Sequence, residues 1–227
     1  MRSLSFIALI FLGLAGTAGA GELVVTKSTV PGLDPGTIID GADKLSLKAG
    51  HRLSLIAPTG KVINLVGPYQ GIPDASAGGP REEKLVTTLA TLMTGHGRDA
   101  SQLGATRNAA ERRGRQVWAV EVGASGAQCI QKGQAPVLWQ PGATQPRPVE
   151  LAKTGGERVR IAWPKGEAMA PWPKKVPVAD GATYLIGGVS VVLHFVATPS
   201  GNPAELAAAL TEKGCDAQAL AVLGTAE

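Results

Sequence analysis

A chain of 227 residues can hold one or two domains, and with 44% hydrophobic and 18% charged residues wholesale disorder is excluded. Thirty glycines and 16 prolines far exceed the usual share of about 12%, which favours turns and short strands over long helices. Two cysteines and three histidines are too few for a Cys/His zinc cage, and a net charge of +4 is too mild to point to nucleic acid.

Residues 1–20 read as a secretory leader. Arg2 is its basic start, Leu4 to Leu14 its apolar stretch and Ala18-Gly19-Ala20 its cleavage site, so the mature chain begins at Gly21. Loss of Arg2 leaves 21 basic against 18 acidic residues, a net of +3. No later run reaches the roughly 18 apolar residues of a membrane helix. The nearest, Leu185 to Ala197, is β-rich and interrupted by His194 and two glycines. The expectation is a periplasmic or secreted protein, without stable membrane insertion and without a nucleic-acid partner. No cofactor is implied.

Residues 21–78 read as a small antiparallel β domain with one buried face. Its strands are Glu22 to Lys27, Lys44 to Lys48, His51 to Ile56 and Lys61 to Val66. Period-two alternation broken at Ala49-Gly50 and Thr59-Gly60 is a hairpin signal. Residues 79–115 read as a helix and a basic linker. Pro80 starts the helix, Leu85, Leu89, Leu92 and Met93 share one face, and Gly95 stops it. The cluster Arg107, Arg112, Arg113 and Arg115 reads as a solvated segment.

Residues 116–199 carry seven or eight short strands, the signal of an immunoglobulin-like β-sandwich. The longest, Val189 to Ala197, is expected to be central. Residues 200–227 form a helical tail: Asn202 caps, Pro203 begins, Gly214 stops, and Asp216 caps a last short helix. The fold class is therefore mainly β, of the α+β kind. In an oxidising compartment Cys129 and Cys215 are expected to pair and to pin the tail to the sandwich.

The stretch LSLKAGHRLSLIAPTGKVINLVGPYQG, residues 45–71, resembles the small β domain of FecR-type periplasmic proteins. The later LW at 138–139, IAWP at 161–164 and DGATYLI at 180–186 are similar to the fibronectin- or immunoglobulin-like module often found beside it. Gly50-His51 stands where that family has Gly-Asp, and its anti-sigma transmembrane organisation is not seen. The resemblance implies an envelope binding or scaffolding domain and transfers no catalytic residue.

Candidate chemistry is sparse. GxSxG is lacking, and Gly123-Ala124-Ser125-Gly126 reads as a hairpin turn with glycine one place early. His51, His96 and His194 each have an ordinary structural reading. Two Trp-Pro-Lys triplets nine residues apart make Trp163, Lys165, Trp172 and Lys174 the candidate ligand-binding residues. Exposed, they would bind sugar or extended peptide by stacking and hydrogen bonding. Packed, Trp163 would end a strand and Trp172 would lie under a proline-rich loop. The leading expectation is a non-enzymatic envelope module that binds protein or glycan. The competing class is an exported hydrolase whose site is assembled only in the fold. A histidine within reach of a carboxylate and a hydroxyl would mark the hydrolase, and a free strand edge would mark the binder.

Overall fold

The computed structural model describes residues 21–73, 83–102, 117–140, 148–163, 166–197 and 201–225. The leader, Pro80, the Arg107 to Arg115 cluster and Lys165 lie outside these residues. The chain is mainly β, of the α+β kind, as its turn-rich composition requires.

The N-terminal sheet has the order β2-β1-β4-β5, from β1 (Glu22–Ser28), β2 (Ile38–Asp40), β4 (Arg52–Ile56) and β5 (Val62–Val66), all antiparallel. The Pro58-Thr59-Gly60 turn does make a β4–β5 hairpin, with Gly60 at φ +81°. The Ala49-Gly50 turn does not. Strand β3 (Leu45–Leu47) leaves β4 and pairs with β6 (Tyr69–Gly71). Three-residue strands carry too short a pattern to specify a partner.

The single buried face is also corrected. Leu23, Val25, Leu53, Leu55 and Ile63 bury one side of the sheet, but Val24 and Ile56 on the other are 1% exposed. They lie beneath α1 (Glu83–Gln102), whose Leu85, Leu89, Leu92 and Met93 are buried as their spacing requires. Gly95 does not end that helix. A glycine stops a helix by turning left-handed, and Gly95 is not among the positive-φ glycines. Closeness of the β1–β2 connection to α1 shows at Gly36, where an added Cβ would collide with Thr94 Oγ1.

The second β unit is a sandwich of two sheets. Five strands run β11-β10-β13-β14-β8 and three run β12-β9-β7. The members are β7 (Ala119–Glu121), β8 (Gly126–Gln131), β9 (Val137–Trp139), β10 (Val149–Lys153), β11 (Val159–Ile161), β12 (Met169–Pro171), β13 (Ala182–Ile186) and β14 (Val189–Val196). The apolar β14 is the longest and is interior, between β13 and β8.

The Gly123 to Gly126 turn is not a hairpin: β7 and β8 join different sheets, each through a parallel pair, β7 with β9 and β8 with β14. The turn is a corner, held by the buried Gln128. Its Oε1 accepts from Glu121 N–H at 2.7 Å, and its Nε2 donates to the carbonyls of Glu121 and Ala124, both at 3.0 Å.

Helices α2 (Pro203–Glu212) and α3 (Asp216–Thr225) close the chain. Asn202 caps α2 by accepting from Ala204 N–H, and Gly214 turns at φ +73°. Asp216 is the first residue of α3, which Cys215 precedes. Helices of ten residues are marginal alone. These two share one apolar core with α1, with Val24 and Ile56 of the first sheet, and with Cys129 and Val196 of the second. Helical residues thus fill the space between the β units. The expected disulfide is present: Cys129 and Cys215 are bonded, with Cα atoms 5.9 Å apart, and both are buried.

Candidate functional site

Every strand edge either meets a partner or exposes a row of backbone donors and acceptors. Most edges here are blocked. Gln128 holds the N–H and C=O of Glu121 on β7. On β8, the amide of Gln218 replaces a neighbouring strand: its Oε1 accepts from Cys129 N–H and its Nε2 donates to Cys129 C=O, each at 2.7 Å. The same Nε2 reaches Val117 C=O. Strand β12 contains Pro171, β11 carries exposed Arg160, and β2 ends on Asp40 after only three residues. Strands β3 and β6 are also three residues long.

Strand β5 differs among the described residues. Its five residues, Val62-Ile63-Asn64-Leu65-Val66, carry no charge and no proline. The hairpin register and the bonds Ala57 N–H to Lys61 C=O and Gly67 N–H to His51 C=O set the parity. Residues 61, 63, 65 and 67 face β4, so the main-chain groups of Val62, Asn64 and Val66 point outward. Val66 is 62% exposed. Beside the edge lies a shallow concavity of about 440 Å³, lined by Lys27, Thr29, Arg52, Ser54, Asn64 and Val66 among others. Ser54 Oγ donates to Asn64 Oδ1 at 2.7 Å, Arg52 pairs in register with Val66, and among the described residues no carboxylate lines the hollow.

The Trp-Pro-Lys residues behave otherwise. Trp163 is 4% and Trp172 8% exposed, both within the sandwich core. Trp163 Nε1 donates to Glu167 C=O at 2.7 Å and Trp172 Nε1 to Val176 C=O at 2.8 Å. Trp172 also meets Tyr184 edge to face, with ring centroids 5.3 Å apart. Burial with a satisfied N–H removes both faces from stacking, so neither indole forms a ligand surface. Lys174 is exposed and is not brought to a shared site with them.

His51 Nδ1 stands 2.9 Å from Thr29 C=O, a tie to the chain just after β1. His194 Nδ1 is 3.6 Å from Asp180 Oδ1, and that oxygen already accepts from Phe195 N–H at 2.8 Å. The pair fastens the 180–181 turn to β14. Donation by Phe195 N–H, against desolvation and with help from Lys213, His194 and Gly181 N–H, holds the Asp180 carboxyl below its ordinary range. Its folded pKa is therefore below the unfolded value of about 3.9, and its stabilisation is present above that value and lost as pH falls below it. Asp180→Asn should flatten the loss of stability between pH 5 and pH 2, checked by urea midpoints across that range. An unchanged acid limb would contradict the assignment.

Two further hollows of about 490 Å³ lie along α1 and α2, beside the Lys84 Nζ to Glu212 Oε1 pair at 2.7 Å. Of their threonines, Thr88 and Thr91 donate to the carbonyls of Lys84 and Thr87 in their own helix. Among the described residues no group of three His, Cys, Asp or Glu is placed to hold a metal, and no helix is long and apolar enough to cross a membrane. Sequence reading missed Gln128, Gln218 and the open edge. An uncharged, proline-free strand between Lys61 and Pro68 was the available signal for the edge. Comparison with protein-family models, with curated proteins and with solved structures finds no match, so the β5 edge stands on its own geometry as the candidate site.

Proposed function

We propose that this chain is an exported envelope protein acting as a non-enzymatic protein-interaction module, and that an extended segment of a partner adds to β5 as a further strand. The observation that carries the reading is the five-residue uncharged edge with outward main-chain groups at Val62, Asn64 and Val66, where most other edges of the described residues are blocked. Strand addition uses these groups for affinity and alternate side-chain positions for selectivity. The buried disulfide fits an oxidising compartment, and the FecR-type resemblance of residues 45–71 supports an envelope setting. A polypeptide is favoured over a glycan because the free groups recur at strand spacing.

The test is amide hydrogen exchange with and without a neutral peptide of alternating glutamine and valine. In the free protein Asn64 and Val66 should exchange fast while Ile63 and Leu65 are protected. The peptide should slow Asn64 and Val66. Proline at position 64 removes an outward N–H and spares the β4 ladder, so Asn64→Pro should abolish binding while Asn64→Ala retains it. Equal exchange with and without peptide would sink the reading.

A further inference from the structure

We infer that the segment accepted by β5 is acidic, with carboxylates alternating with apolar residues; this rests on the strand-addition reading above. An added strand would place successive side chains on opposite faces of the sheet. One set would share the face of Asn64 and Val66, and with them the concavity lined by Arg52, Lys27, Ser54 and Thr29. The other set would continue the face on which Ile63 and the half-buried Leu65 lie, above the first core. That face takes apolar residues.

The first face is cationic. Arg52 is exposed and makes no ion pair among the described residues, and none of the described residues lining the hollow is a carboxylate. Arg52 sits across from Val66 on β4, so the new strand would run two strand spacings away, about 10 Å. An extended arginine and a glutamate side chain close that gap together. Basic residues there would meet like charge, and neutral ones would leave Arg52 to water. Opposite charges on neighbouring strands are worth up to about 1 kcal/mol, so charge sets the choice of partner while main-chain bonds supply the attachment.

A second copy of this chain fits less well. Its own β5 is neutral and would leave Arg52 without a counterion. A pairing limited to five-residue strands also covers less than the roughly 1,200 Å² of a stable interface.

The experiment compares three fluorescent heptapeptides in which valine alternates with glutamate, glutamine or lysine, read by anisotropy in low and high salt. The glutamate peptide should bind about two- to fivefold more tightly than the glutamine peptide, and the lysine peptide more weakly. The advantage should shrink in high salt. Arg52→Gln should erase most of the difference between the glutamate and glutamine peptides. Equal affinity for the glutamate and glutamine peptides would overturn the acidic partner while leaving strand addition standing. Failure of all three peptides, with Asn64→Pro indistinguishable from the unaltered protein, would overturn the underlying reading as well. Self-association that Asn64→Pro abolishes would assign the edge to a second copy and refute the inference. Binding of a polyuronate chain that needs Arg52 but survives Asn64→Pro would assign the hollow to a glycan and refute it too.

Discussion

Replacing Cys129 and Cys215 together by alanine should lower the free energy of unfolding by roughly 4–5 kcal/mol in the chain-entropy account of disulfides. The bridge closes a loop across 86 positions of sequence, so the unfolded chain gains much freedom when it is lost. The folded state also depends on it locally. Cys129 lies on the edge strand β8 and Cys215 on the corner between α2 and α3, two short helices that need docking. The measurement is a pair of urea titrations without reductant. A loss below about 1 kcal/mol would show that the apolar core shared by the helices holds them unaided. Both sulfurs are buried, so mild reductant should act on the native protein only at the rate at which it opens.

Gln218→Met should cost about 2–4 kcal/mol, a large effect for one amide. Methionine keeps the length of the side chain and removes its polar atoms. Gln218 is 1% exposed and serves three main-chain groups: the N–H and C=O of Cys129, and the C=O of Val117. Each buried group left without a partner costs about 1–3 kcal/mol, with carbonyls more tolerant than N–H groups. Gln218→Glu should be at least as damaging near neutral pH, because an ionised carboxylate has no donor for the two carbonyls. Gln218 and the disulfide hold the same residue of β8, so their effects should not add. A double-mutant cycle in urea measures this. Stability of Gln218→Met within 1 kcal/mol of the unaltered protein would mean that other groups satisfy Cys129.

Local pattern was enough for the elements whose neighbours in space are also neighbours in sequence. Val62 to Val66 follows its turn and pairs across it; Leu85 to Met93 marks the buried stripe of α1; Asn202, Pro203 and Gly214 bound α2. Cysteine count with an exported reading was enough for Cys129–Cys215, because no third cysteine competes. Side-chain period and capping act over a few residues, and a one-dimensional reading captures them.

Tertiary structure alone decided the rest. Strand β3 pairs with β6 rather than β4, and β7 and β8 separate into two sheets through parallel pairs. Such pairings are chosen by the fit of whole sheets, not by the turn between two strands. Trp163 and Trp172 have both a surface and a packed reading in sequence, and the fold decided for the packed one by placing the Glu167 and Val176 carbonyls against their N–H groups. Gln128 and Gln218 look like any polar residue in sequence. They become edge caps only because folding brings a strand with bare main-chain groups within reach of each amide. The open edge of β5 is decided in the same way: Val62, Asn64 and Val66 state a strand, but which side of it stays free depends on where β4 and every other strand went.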